Sequence, residues 1–338
     1  MKRQICAIVV LLALQVLVIG GIVFLVRNPD YFTNQSEQDP RSAHREPYRV
    51  YINQTFVGNF DTFEDAVIFS SDNDNSAIMQ GMELIWDNQY VFHIIVEGRI
   101  LGTFSEFVDA VDFARKFTDA SVHFGKIRVW TSSTELADQI RIDVPLIMQL
   151  PRLARGCEVV SLAMILNHAG IDAYKMDLAR EIRKNDIEMY QDAYGRMISG
   201  HPNDGFVGNI YTLDELGYGV YHRPIHELMV KYAGNSAIDL TGAEFEDLFY
   251  ILNQGIPIWV ITNSTHTELE DDQFQTWYLP TGESFIATWR LHSVVITGHD
   301  NGIIYVNDPL AGRITVTIED FRSAWIQMGR QAIAYIPR

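Results

Sequence analysis

The chain has 338 residues, a length that suits about two domains. Apolar residues make up 47% and charged residues 20%, a balance that supports a packed core and excludes global disorder. The net charge is −17, which argues against a nucleic-acid partner because such a protein needs a basic surface. Two cysteines, Cys6 and Cys157, are too few for a disulfide-rich scaffold.

The N-terminal segment predicts a membrane anchor. Residues 5–26 contain no charged side chain and one clearly polar one, Gln15. A helix of this length extends about 33 Å, enough to cross the apolar core of a bilayer. Lys2 and Arg3 precede it, so the positive-inside bias predicts a single-pass protein of the cell membrane with an extracytoplasmic C-terminal part. A secreted protein released by signal cleavage is the alternative, although no cleavage motif follows the run.

The next two regions are a polar linker and a repeat. We assign residues 1–27 to the anchor and 28–47 to the linker, and residues 48–135 carry an internal repeat with a period of 44. Each unit predicts a hairpin, then a helix with Asp61 or Ser105 as N-cap, then a second strand pair near Trp86 or Trp130. The identical pairs are Gly58/Gly102, Phe60/Phe104, Phe63/Phe107, Asp65/Asp109, Ala66/Ala110, Val67/Val111, Phe69/Phe113, Gly81/Gly125 and Trp86/Trp130.

These repeats contain no catalytic constellation. We interpret them as two small ββα-type modules that serve as a spacer or as a docking surface for an envelope partner. A ligand site built from exposed aromatic side chains is the alternative.

The chemistry is expected in residues 136–338, beginning with the thiol. Pro151 and Gly156 indicate a loop, and from Cys157 to Gly170 apolar positions recur at helical spacing. Cys157 is therefore predicted in the first turn of a helix, where backbone N–H groups and the helix dipole stabilise a thiolate. Glu158 would act in the opposite direction if its side chain pointed inward. A buried structural cysteine is the alternative.

A hairpin supplies the candidate base. Two β-branched runs flank residues 300–302 (DNG), a strong signal for a tight turn. Folding about this turn brings His292 near Asp308, and a carboxylate there would fix the histidine tautomer and support an imidazolium. His299 is the competing base, but it lies at the predicted turn and lacks a carboxylate partner. A strand histidine and a turn aspartate without catalytic roles are the alternative.

In chain order, Gln149, Cys157, His292 and Asp308 match the Gln, Cys, His, Asp order of papain-like cysteine peptidases. The sequence more closely resembles the double-glycine (bacteriocin-processing) leader-peptidase-like family, in its stand-alone exported bacterial branch. The similar segments are 144–149 (VPLIMQ), 156–164 (GCEVVSLAM), 204–210 (DGFVGNI), 255–260 (GIPIWV), 289–298 (WRLHSVVITG) and 306–310 (VNDPL).

The resemblance implies an α+β, papain-like peptidase domain over residues 136–338. It implies Cys157 as nucleophile, His292 as general base and acid, Asp308 as the group that orients it, and Gln149 as an oxyanion donor. The loop between Gln149 and Cys157 is longer than the family pattern. No G-x-x-x-x-G-K-[ST] motif is present, so the leader-peptide substrate of transporter-fused members is not carried over.

We therefore predict a membrane-anchored cysteine peptidase that hydrolyses a peptide or isopeptide bond without a cofactor or metal. His222 and His226 have zinc-pair spacing, but Pro224 between them argues against helical geometry. A catalytically inactive papain-like binding or scaffold protein at the cell envelope is the alternative. Leader processing beside a separate transporter is a third hypothesis.

Overall fold

The computed structural model describes residues 46–71, 73, 75–88, 92–133 and 136–337. The predicted anchor (1–27) and nearly all of the predicted linker (28–47) lie outside these residues. Across the described part of the chain, no helix combines the length and apolar character needed to cross a bilayer.

Two four-stranded antiparallel sheets precede the larger part of the fold. Their strand orders are β2-β1-β3-β4 and β6-β5-β7-β8, and every strand of the second sheet begins 44 residues after its counterpart in the first. The first sheet contains β1 Tyr48–Ile52, β2 Thr55–Phe60, helix α1 Phe63–Ser71, β3 Ser76–Gln80 and β4 Glu83–Asp87. The second contains β5 Phe92–Val96, β6 Arg99–Phe104, helix α2 Phe107–Ala114, β7 Ala120–Phe124 and β8 Ile127–Thr131.

The helices of these units begin one residue later than predicted. Thr62 rather than Asp61 caps α1, because its hydroxyl accepts the backbone N–H of Asp65 at 3.2 Å. Glu106 occupies the N-cap of α2 without a side-chain hydrogen bond, so the prediction for Ser105 is wrong as well. Phe107 opens α2 and is fully buried, so packing against the sheet fixes where this helix starts.

The second sheet shares its core with the C-terminal region. Apolar side chains of α2, β5, β7 and β8 pack with those of the central sheet around Phe321 and Trp325. Polar contacts of the buried Asp247 join the same regions: both of its oxygens lie 2.6 Å from Arg115 Nη2, and Oδ1 accepts the indole N–H of Trp130 at 2.9 Å. The second sheet is therefore attached to the larger domain by packing and by an ion pair between the buried Asp247 and the exposed Arg115.

The larger domain is a mixed α/β structure around a seven-stranded sheet. The strand order is β12-β19-β13-β16-β17-β18, and β9 adds beside β16. Its strands are β9 Gln139–Arg141, β12 Ala237–Asp239, β13 Ile258–Asn263, β16 Leu291–Asp300, β17 Ile303–Asp308, β18 Gly312–Thr317 and β19 Ala332–Tyr335. The helices are α3 Cys157–His168, α4 Lys175–Glu181, α5 His222–Ala233, α6 Asp247–Asn253 and α7 Ile318–Gln327. A separate small sheet of the larger domain contains β10 Tyr190–Gln191, β11 Met197–Ile198, β14 Gln275–Tyr278 and β15 Ser284–Ala287.

The long strand β16 organises the centre of this domain. Its first half pairs with β13 and its second half with β9, and the change of partner falls at Gly298. A Cβ at Gly298 would lie 2.0 Å from the carbonyl oxygen of Ile140, so no larger residue fits this crossing. The predicted hairpin is confirmed: Asp300 pairs with Ile303, and Asn301 and Gly302 both have positive φ.

Candidate active site

Cys157 is the first residue of helix α3, as predicted. Gly156 is the N-cap, and Gly170, with φ +78°, follows the last turn. Residues 157–166 are all buried, so this helix runs through the core and not along the surface. The thiol is therefore held by a rigid element whose position the surrounding core determines.

Two hydrogen bonds lock α3 onto the central sheet. The Ser161 hydroxyl donates to the carbonyl of Ser293 at 3.1 Å, and the indole N–H of Trp259 donates to the carbonyl of Glu158 at 2.9 Å. Ser293 directly follows His292 in β16. The helix that carries the thiol and the strand that carries the histidine are thus fastened together beside the site.

The hairpin brings His292 and Asp308 into contact. His292 Nε2 lies 3.0 Å from Asp308 Oδ2, and both residues are almost fully buried. The other carboxylate oxygen accepts the backbone N–H groups of Leu310 at 2.6 Å and Ala311 at 3.0 Å. Burial raises the pKa of Asp308, but the hydrogen bonds from His266 and His292 and the Leu310 N–H outweigh it and hold the pKa well below its usual range.

A second histidine, His266, contacts the same carboxylate of Asp308, and no pattern in the sequence had identified it. His266 Nε2 lies 3.1 Å from Asp308 Oδ2, and the His266 ring stacks on Phe321 at 16° between planes. His266 follows β13 in a turn organised by Asn263 and has a left-handed backbone, with φ +57°. No motif marks it, because only the sheet pairing of β13 with β16 places this turn beside His292.

The environment of the thiol differs from the prediction. Sγ of Cys157 lies 3.3 Å from Oε2 of Glu158, and across the described residues Glu158 is its side-chain hydrogen-bond partner. Burial raises the pKa of Cys157 well above its ordinary value, and Glu158 raises it further. A backbone hydrogen bond from Ser293 opposes this effect. The expected depression of the thiol pKa by the helix N-terminus is therefore wrong for the resting structure, because burial of the thiol and then the neighbouring acid outweigh it.

Gln149 lies near the site but makes a local contact. Its side chain is buried, its Nε2 donates to the carbonyl of Ala154 at 2.9 Å, and its Oε1 has no partner. Its backbone N–H donates to the carbonyl of Pro309 at 2.8 Å, next to Asp308. Arg155 donates to the carbonyls of Asn209 and Thr212, so it braces a neighbouring loop.

The other histidines singled out from the sequence lie elsewhere. His299 lies within β16 rather than at its turn, pairs with Ile304 and packs its ring 4.6 Å from that of Phe249. His222 and His226 both lie in α5, and Pro224 does not disturb this helix because it occupies the first turn, where no backbone N–H is needed. His222 Nδ1 instead lies 2.6 Å from Asp239 Oδ2.

One group within the described residues could hold a metal ion. The ligand atoms of His266, His292 and Asp308 all lie within 4.8 Å of one another. Both Nε2 atoms are already engaged with the same aspartate oxygen. A metal ion bound there would break the contact between His292 and Asp308, so it would compete with that pair and not assist it.

The family is established by sequence. The pattern of the Peptidase_C39 like family matches residues 141–333, and the chain belongs to this family. The uncharacterized protein YvpB of Bacillus subtilis (strain 168) is 43% identical over 187 residues, which make up 55% of this chain and 71% of that protein. A crystal structure from Bacillus anthracis, provisionally described as a C39-like peptidase, is 46% identical, with a TM-score of 0.55. That match covers 60% of this chain and 99% of the other.

Proposed function

We propose that the protein is a cysteine peptidase in which Cys157, His292 and Asp308 form the catalytic triad. The observation that carries this proposal is the 3.0 Å contact between His292 and Asp308 on the hairpin that is tied, through Ser161 and Ser293, to the helix bearing Cys157. Membership of the Peptidase_C39 like family over residues 141–333 supports it.

The reaction begins when His292 takes the thiol proton on Nδ1, the ring nitrogen that does not contact Asp308. The thiolate attacks an amide carbonyl, and His292 returns the proton to the departing amine, leaving an acyl-enzyme that water hydrolyses. Asp308 fixes the tautomer of His292 and supports its charged form. The helix N-terminus supplies the Cys157 backbone N–H to the oxyanion. Gln149 donates one N–H of its side-chain amide to the carbonyl of Ala154, so the other N–H of that amide is available to donate to the oxyanion.

The setting of this activity is part of the proposal. The uncharged run of residues 5–26 would anchor the chain, so that the peptidase acts on a peptide or isopeptide outside the cytoplasmic membrane, as in a stand-alone exported member of the family. The two sheets of residues 48–131, with matching strand order, would act as tandem repeats that dock an envelope partner.

The test uses the full-length protein and does not require a known substrate. Iodoacetamide alkylation of Cys157, located by mass spectrometry, is followed against pH in the wild type and in His292→Ala and Asp308→Ala. We expect labelling in the folded wild type at pH 6, where an ordinary thiol with a pKa of about 8.5 is almost entirely protonated. His292→Ala should abolish this labelling. Cleavage of a denatured peptide mixture should likewise disappear in Cys157→Ala.

The raised pKa of the Cys157 thiol favours one competing function, a papain-like binding or scaffold protein without activity. In that case, His292→Ala would leave the alkylation of Cys157 unchanged, and the wild type would cleave no peptide in the mixture. These two results together would reject the peptidase.

A further inference from the structure

A carboxyl group is buried directly beside the nucleophile. Glu158 is 1% exposed, and its Oε2 lies 3.3 Å from Sγ of Cys157. The other oxygen, Oε1, accepts the backbone N–H of Val220 at 3.0 Å. The side chain thus has a partner on each oxygen, and one of these partners is the reacting sulfur.

The fold makes room for this side chain through a glycine. A Cβ on Gly219 would lie 2.2 Å from Glu158 Oε1, closer than atoms approach, and Gly219 has φ +152°. The carboxyl therefore fills a space that the segment before α5 leaves open for it. Because Val220 follows Gly219, the same segment that admits the carboxyl also supplies its backbone donor.

Few opposite charges face the Glu158 carboxyl. Lys184, which follows α4, is the cation that acts on it, and burial lowers the pKa of Lys184 to about 8. Burial raises the pKa of Tyr218, which precedes α5, and the charge of Glu158 adds to this rise. Cys157 lies on the same helix as Glu158, α3. Central strand β13 contributes the neutral indole of Trp259, while β16 and β17 bring His292 and Asp308 to the side of the thiol. Asp308 adds to the negative charge felt by Cys157.

The protonation of Glu158 consequently falls in the working range of the site. Burial raises the pKa of Glu158 to about 7, while the Val220 N–H, the thiol and Lys184 act against that increase. Around neutral pH the group next to Sγ is thus either a neutral acid, which can donate a hydrogen bond, or a carboxylate, which can only accept one.

We propose that Glu158 is a further catalytic residue, whose neutral form donates a hydrogen bond to the Cys157 thiolate and whose ionised form holds Cys157 as a thiol. This inference rests on the proposed function, because it concerns the same nucleophile.

The protons of the two forms balance as follows. When Glu158 is neutral, the thiol proton resides on His292 Nδ1, and the Glu158 proton, on Oε2, points at the thiolate sulfur. His292 later gives its proton to the leaving amine, and Glu158 keeps its own throughout. When Glu158 is ionised, the thiol proton stays on sulfur and is donated to Oε2, so a thiolate and the Glu158 carboxylate never lie side by side.

The experiment is the pH dependence of Cys157 alkylation in the full-length wild type, in Glu158→Gln and in the exposed control Glu283→Gln. The glutamine keeps the shape and a donor but cannot ionise. In the wild type, the labelling that depends on His292 should fall as the pH rises through about 7. In Glu158→Gln this fall should vanish, and labelling at pH 8 should be faster by about tenfold or more, as expected for one pKa unit. Glu283→Gln should follow the wild type.

A Glu158→Gln profile that superimposes on the wild-type profile would overturn the inference. If Glu158→Gln does not fold, the wild-type profile decides: a single monotonic rise centred on an ordinary thiol pKa would overturn it too. The His292→Ala variant separates the two proposals. Loss of labelling in His292→Ala with an unchanged Glu158→Gln profile removes only the role of Glu158. Unchanged labelling in His292→Ala, together with no cleavage of the peptide mixture by the wild type, removes the peptidase itself.

Discussion

Two buried carboxyl groups, Asp308 and Glu158, act on the Cys157 thiol, and their environments shift their pKa values in opposite directions. Asp308 accepts hydrogen bonds from two histidines and two backbone N–H groups, and its pKa falls well below the usual range. Glu158 is also buried, but it accepts backbone N–H groups and a weak thiol donor and no imidazole, and burial raises its pKa to about 7. Burial raises the pKa of both acids, but at Asp308 the hydrogen bonds from His266 and His292 and the charge of His292 outweigh it.

Because their pKa values differ, the two acids can have different roles at the site. A permanently charged Asp308 can orient His292 and stabilise its imidazolium at any physiological pH. Glu158 can change its charge near neutrality, so it can alter the state of the thiol. Both side chains are held by rigid elements, Asp308 by the end of β17 and Glu158 by the first turn of α3. The comparison can be tested by removing each acid, or one donor, in turn.

The largest effect is expected from Asp308→Ala. This change leaves the two imidazole N–H groups buried without their acceptor and removes the acceptor of the backbone N–H groups of the exposed residues Leu310 and Ala311. We expect the free energy of unfolding at pH 7 to fall by about 3–5 kcal/mol, since unsatisfied buried donors cost about 1–3 kcal/mol each and the costs do not add fully. Urea denaturation measures it. The exposed Asp272→Ala should change stability by less than about 0.5 kcal/mol, and equal losses in the two variants would contradict the four-donor account.

In contrast to Asp308→Ala, Glu158→Gln should increase the free energy of unfolding relative to wild type as the pH rises. Because the pKa of Glu158 is raised on folding, the folded wild type binds a proton more tightly than the unfolded chain does. Wild-type stability is therefore reduced as the pH rises from about 4.5 to about 7, by about 3 kcal/mol, and this contribution is constant above that range. The variant lacks this loss, so its stability relative to wild type should increase over the same window. Denaturation curves at pH 4.5, 6 and 8 measure the difference, and a pH-independent difference would exclude an ionisable Glu158.

A smaller effect is expected from His266→Ala, which removes one of the four donors on Asp308. We expect a loss of about 1–2 kcal/mol in unfolding free energy. Alkylation of Cys157 at pH 6 should also slow several-fold, because Asp308 Oδ2 is then held from one side only. His266→Gln, which retains a donor, should recover part of the rate. The control is His226→Ala, whose side chain makes one 3.4 Å contact with the Ala237 carbonyl. If His266→Ala slows labelling no more than His226→Ala does, His266 has no part in positioning Asp308.

Local signals in the sequence were sufficient for the elements that carry the triad candidates. The loop residues before Cys157, the helical spacing after it and Gly170 predicted α3 correctly, because helix limits depend on nearby backbone groups. The Asp-Asn-Gly turn predicted the β16–β17 hairpin, and a hairpin relates its two strands by a fixed register, so His292 and Asp308 came together as expected.

Local signals failed where packing chooses between neighbouring positions. The caps at Asp61 and Ser105 were each placed one residue early, because the fit of the helix against its sheet sets the starting residue. The direction of the Gln149 amide also depends on how the longer loop before Cys157 folds, and it is turned towards Ala154.

The sequence by itself therefore determined the helix that begins at Cys157, the hairpin and the pairing of His292 with Asp308, since each rests on contacts between residues close in the chain. Only the tertiary structure decided the charges around the thiol. His266 reaches Asp308 from a turn 42 residues away in sequence, and Glu158 turns inward because Gly219, 61 residues away, leaves space for it. Such distant contacts determine burial and the number of donors, which set the pKa of a buried acid but leave no periodic pattern in the sequence.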